Sequence, residues 1–172
     1  MSLGHRTVMP VLLLFTLILA GCGYRFAGNG TLPNAVKRVH VAMFGNQTAE
    51  IGLEAQVTDR LINALALSGD IRITDAASAD AILKGRIVSL VVQTASQAEA
   101  GTAARRRIVM HWHLELTAAD GHLLWQQDDL SDSKEYDVVS DDAVTEENRS
   151  QALAALTEKM AQSAYRNMTS AF

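Results

Sequence analysis

Apolar and polar positions alternate most cleanly between Ile108 and Thr117. Ile108, Met110, Trp112, Leu114 and Leu116 fall on one side of an extended chain, and Val109, His111, His113, Glu115 and Thr117 fall on the other. One apolar and one polar face describe a half-buried strand. The same period of two runs through Val36–Phe44, with Val39, Val41 and Met43 on one face, and through Ala81–Gln93. In the latter, Gly85 interrupts the side chains and marks a bulge or a close crossing. Asp70–Thr74 reads as a shorter strand. Asp120-Gly121 is a hairpin signal, and His122–Gln127 returns from it as a strand that can run on to Val139. In two places the period lengthens to that of a helix. Leu53, Val57, Leu61, Ala64, Leu65 and Ser68 recur three or four positions apart and predict a helix over 49–67. Thr48 or Asn46 would cap it, and Gly69 would follow its end at positive φ. Leu153, Leu156, Met160 and Ala164 predict a second helix from Asp141 or Asp142 to Met168, with Ser140 as N-cap. Asp141, Asp142, Glu146 and Glu147 sit where the helix dipole favours acids.

The element order is therefore β-α-β-β-β-β-α. Three long strands on short connections form an antiparallel meander, and two amphipathic helices can cover one of its faces. This predicts an α+β fold: a two-layer sandwich with a mainly antiparallel sheet of about four to five strands covered by two helices. Aromatic residues are only 5% of the chain and alanine is abundant, so the core should be aliphatic.

A different pattern precedes the domain. After His5 and Arg6, an apolar stretch runs from Val8 to Ala20 and ends in Leu19-Ala20-Gly21-Cys22. The stretch falls short of the about 20 residues that a bilayer core requires, and fits the apolar region of a signal peptide. A soluble secreted protein would want an Ala-x-Ala-like site, which the cysteine interrupts. Small residues before a cysteine are instead the layout of a bacterial lipoprotein processing site. Cys22 would take a diacylglyceryl group on its thiol, and cleavage before it would free an amine for acylation. Cys22 is the only cysteine, so it makes no internal disulfide. The expected organisation is a signal peptide over 1–21, a lipidated Gly-rich tether over 22–34 and a single domain over 35–172. Gly23 stands where an aspartate commonly marks inner-membrane retention of lipoproteins, which favours export to the outer membrane.

The formal net charge is −4, and losing the leader, whose one charged residue is Arg6, makes it one unit more negative. A mildly acidic chain is a poor non-specific partner for nucleic acid. His111 and His113 lie on one strand face, and with Glu115 they resemble part of a zinc site, which needs a third ligand and an open position. The plainer reading of the three is an exposed polar face. No serine sits in a nucleophile elbow, and no Gly-rich loop joins a strand to a helix as a phosphate cradle. The chain gives little support for catalysis. Arg105, Arg106 and Arg107 end the small-residue loop 94–104, and on a strand 105 and 107 would point one way and 106 the other. Arginine binds phosphate with a planar fork, so the cluster is a candidate anion contact, and Lys84 and Arg86 could extend it across the neighbouring strand. The alternative is a solvated cluster that limits edge pairing.

Several short segments together resemble the lipopolysaccharide-assembly lipoprotein family, LptE. They are Cys22-Gly23-Tyr24-Arg25-Phe26, Leu32-Pro33, and Val39-x-Val41-x-Met43-Phe44-x-Asn46-Gln47-Thr48. Leu53-Glu54, Ala79-Asp80-Ala81-Ile82-Leu83-x-Gly85 and Gly121–Trp125 continue the match across the mature chain. The Asn-x-Thr turn after a strand is also found in other envelope lipoproteins, of the curli-export and penicillin-binding-protein activator types. The resemblance implies a non-enzymatic protein anchored at the periplasmic face of the outer membrane, partnered by an LptD-type β-barrel that it helps to assemble and plugs, and in contact with lipopolysaccharide. No cofactor is implied beyond covalent N-acyl and S-diacylglycerol lipid on Cys22. It carries no motif for the lipid-contacting basic residues, so Arg105, Arg106, Arg107, Lys84 and Arg86 rest on charge and placement alone. The alternatives are a lipoprotein that activates a periplasmic enzyme or export pore, and a zinc enzyme built on His111, His113 and Glu115.

Overall fold

The alternating segment around Trp112 lies between two other long strands in a six-stranded sheet. The structure is a computed structural model and describes residue 32 and residues 36–97 and 104–172. The expected signal peptide over 1–21, Cys22 and the expected tether over 22–34 lie outside the described residues, apart from Leu32, which is buried in the core. The elements are β1 (Arg38–Val41), β2 (Gly45–Asn46), α1 (Leu53–Ala66), β3 (Arg72–Ile73), β4 (Ala81–Ser96), β5 (Ala104–Ala118), β6 (Leu123–Val138) and α2 (Asp142–Ser170). The sheet order is β3-β1-β4-β5-β6, with β2 beside β4. The long strands β4, β5 and β6 are antiparallel neighbours, whereas β1 and β2 run parallel to β4 and β3 runs parallel to β1. The class is the α+β fold expected. The count rises to six because Gly45–Asn46, just past the end of the first predicted strand, pairs with β4 as a short strand of its own, and the sheet is mixed because the α1 connection returns the chain parallel to β1.

That break moves one side chain to the wrong face of the expectation. Between Val41 and Gly45 the chain takes four steps where its partners, Leu83 to Arg86, take three. The extra residue reverses the facing. Met43, expected inside, is 66% exposed, and Phe44 is buried in its place. The Phe44 ring lies over Gly85 and meets Trp112 edge to face, with centroids 5.8 Å apart. Gly85 is thus a close crossing: a Cβ there would stand 2.3 Å from Phe44 Cζ.

The helices begin differently from expectation as well. Asn46 and Thr48 build the turn before α1 and do not cap it. Asn46 Oδ1 accepts from the Thr48 amide and hydroxyl, and its Nδ2 donates to Glu50 O and Glu54 Oε2. The N-cap is Gly52, at φ 82°. At α2 the cap is Asp141, one residue after Ser140, with Oδ1 accepting from the amides of Ala143 and Val144. Gly69 and Gly121 take positive φ as their turns require, and Asp120 Oδ1 accepts from His122 N to close the hairpin. Leu53, Val57, Leu61 and Leu65 of α1, and Leu153, Leu156, Met160 and Ala164 of α2, join Ile108, Met110, Trp112, Leu114 and Leu116 in one core. No helix among the described residues is long and apolar enough to cross a membrane.

Candidate ligand-contacting face of the sheet

With the even positions of β5 from Ile108 to Leu116 committed to the core, its odd positions form the face turned away from the helices. Cross-strand register assigns their neighbours there. Arg105 faces Ser96 and Asp137, Arg107 faces Gln93 and Glu135, and Val109 faces Val91 and Ser133. His111 faces Ser89 and Ser131, His113 faces Arg86, and Glu115 faces Lys84 and Gln126.

The arginines lie on β5 itself, because the strand begins at Ala104, four residues earlier than its apolar alternation. Two of the three are engaged by acids of β6. Arg107 donates from Nε and Nη2 to Glu135 Oε1 at 3.2 and 2.6 Å. Arg105 lies 3.7 Å from Glu135 Oε2 and 3.5 Å from Asp137 Oδ1. The hydrogen bond from Arg107 holds the Glu135 carboxyl below its usual value, against a smaller opposing effect of burial. All four side chains stay at least a third exposed, so the pairs are screened and each contributes little to stability. Arg106 points to the other face, opposite Thr94 and Tyr136, and among the described residues it forms no ion pair.

Lys84 and Arg86 do share the outer face with Arg105 and Arg107, but not the same place on it. Arg86 pairs with His113, six residues along β5 from Arg107. At about 3.4 Å per residue the two groups are roughly 20 Å apart. Val91, Val109, Ser89 and His111 lie between them. The cations form two separate positions and do not form one continuous patch.

The histidines are tied to carboxylates. His111 Nδ1 is 2.7 Å from Asp129 Oδ1; His113 Nε2 is 2.7 Å from Glu115 Oε1, and its Nδ1 is 3.3 Å from Asp128 Oδ1. Each imidazole is thus oriented by its own acids. Among the described residues no three of His, Cys, Asp or Glu are grouped to hold a metal ion.

The arrangement can offer guanidinium groups to an anion at the 104–107 end of the hairpin, with neighbouring acids that an incoming anion must displace. The partnership of Glu135, Asp137, Asp128 and Asp129 with these side chains follows from the β5–β6 register, which the alternation of residues along the chain does not carry.

Comparison with known proteins agrees with this architecture. In the solution structure of an uncharacterized lipoprotein B from Nitrosomonas europaea, the TM-score is 0.57 at 14% identity, with 81% of this chain and 85% of that chain covered. The rare lipoprotein B from Shewanella oneidensis gives 0.53 at 9% identity, over 78% and 96%. A minor lipoprotein from Acinetobacter baumannii gives 0.53 at 10%, over 79% and 94%. At these identities the likeness is one of fold. No curated protein matches the chain. The family model for LptE, described as lipopolysaccharide-assembly, matches residues 36–168, from the lead into β1 almost to the end of α2, and the chain therefore belongs to the LptE lipopolysaccharide-assembly family.

Proposed function

We propose that this protein is an outer-membrane lipoprotein that assists assembly of, and plugs, the lipopolysaccharide-translocating β-barrel, and that it contacts lipopolysaccharide during insertion. The observation that carries this reading is the family match over residues 36–168. Lipid on Cys22 would hold the protein at the periplasmic face, each buried CH₂ of its acyl chains contributing roughly 0.8 kcal/mol. No catalytic role is proposed. Arg105, Arg106 and Arg107 are the favoured contacts for lipopolysaccharide phosphate, with Lys84 and Arg86 as a second position.

The test is affinity purification of the C-terminally tagged full-length lipoprotein from detergent-solubilised outer membrane. A large β-barrel in roughly equal amount supports the reading. A periplasmic enzyme or an export pore in its place overturns it in favour of an activator. Replacing the three arginines together by serine should weaken lipopolysaccharide binding several-fold while the domain still melts cooperatively. Unchanged binding would remove them from the proposed contact.

A further inference from the structure

β1 pairs with β4 over Ala81–Leu83, and β2 pairs with it over Arg86–Ile87. Among the described residues, no strand pairs with the outer edge of β4 beyond that point, although β4 continues to Ser96. Register shifts at 88 and 95 bracket a regular stretch, Ser89–Thr94, fully laddered to β5 on its inner side. Its sequence is Ser-Leu-Val-Val-Gln-Thr, with no charge. Val91 on the outer face is 45% exposed and Val92 on the helix face 39%. The other long edge is different: on the regular stretch Leu130–Val138 of β6, Asp132, Lys134, Glu135 and Asp137 guard the strand. Charged side chains blunt an edge, and an uncharged β-branched one invites pairing.

We infer that Ser89–Thr94 takes up an extended, uncharged segment of the barrel partner by strand addition, a reading that rests on the plug role proposed above. Size argues against a second copy of this chain. Six residues at about 3.3 Å, on a sheet about 10 Å thick, give roughly 200 Å² per partner. A stable pair buries about 800 Å² on each side. The edge therefore suits a partner already held elsewhere, where the tethered segment binds at high effective concentration. The wall strands of a closed barrel have no free edge, so the segment is a loop or terminus that enters the lumen. It carries no charge complement, because β4 offers none and the nearby Arg107 is engaged by Glu135.

The test places a photo-activatable phenylalanine analogue singly at each of positions 89–94, and for comparison at 131–136, in the full-length lipoprotein produced with its barrel in the outer membrane. Cross-links from 89–94 should map to one uncharged barrel segment, with none from 131–136 to that segment. Backbone amides within 89–94 should exchange at least about tenfold more slowly in the complex than in the isolated protein. The inference is overturned if the barrel co-purifies but 89–94 cross-links to nothing, to a second copy, or to residues 22–34 of the same chain. Unchanged exchange in the complex overturns it as well. Absence of any barrel from the purified material would instead refute the plug role on which the inference stands.

Discussion

At the scale of single residues, the crossing of Phe44 over Gly85 leaves no room for a side chain at position 85. Besides Phe44 Cζ at 2.3 Å, a Cβ on Gly85 would meet the carbonyl oxygen of His113 at 2.9 Å, and that oxygen belongs to the β5 backbone. The ring cannot simply retreat, because Trp112 stands beside it and its own amide donates to Thr58 Oγ1 of α1. Gly85→Ala should therefore destabilise the protein by about 1–3 kcal/mol, the usual cost of overpacking. Combining it with Phe44→Leu should cost less than the sum of the two single changes, since both act on one contact. Urea midpoints of the four proteins check this; strict additivity would mean that the ring does not fill the glycine's space. The sequence pointed to a bulge or a crossing at Gly85, and the crossing is correct. It could not tell that Phe44 supplies the ring, because the single extra residue between Val41 and Gly45 leaves no mark in the alternation.

At the scale of elements, the long strands were legible and their register was not. β5 contains no bulge, and every register shift of the meander lies in β4 or β6. The Ala118–His122 turn, counted back without bulges, would set Ser133 opposite Arg107. Two shifts in β6 each advance the pairing by one and bring Glu135 there instead. The arginines were thus visible as a run of charge, but their partners depended on bulges that sequence patterning does not reveal. The same limit applied to caps. Ser140 and Asp141 are both good N-cap types, and only backbone geometry separates them, with Asp141 at φ −94° and ψ 116°. Asp141→Ala should cost about 1 kcal/mol of stability and Ser140→Ala only a few tenths. Thermal melts of both variants decide it, and equal losses would contradict the assignment.

At the scale of the whole molecule, two contacts close long stretches of chain. Glu50, in the turn before α1, pairs with Arg149 of α2. Asp80, just before β4, accepts from the amides of Lys37 and Arg38 and from the Arg38 side chain. The Arg38 side-chain hydrogen bond, aided by the two amides, lowers the Asp80 pKa from 3.8 to about 2. The group is more acidic folded than unfolded, so the unfolded chain takes up its proton first. Its stabilising effect is complete above about 4 and lost as the pH falls toward about 2. Asp80→Asn should therefore be less stable than the parent at neutral pH, and the gap should narrow between pH 4 and 2. Denaturant midpoints across that range test it, and a gap independent of pH would show that the charge of the Asp80 carboxylate does not carry the contact. The length of the meander has a consequence of its own. β5 runs 15 residues without a break, from the 97–103 connection at one end to the Asp120-Gly121 turn at the other. At about 3.4 Å per residue its tips are roughly 50 Å apart, more than the about 40–45 Å thickness of a bilayer with its headgroups. One unbroken strand thus has a reach that matches the depth of such a membrane, with the arginines near one tip and the tight turn at the other.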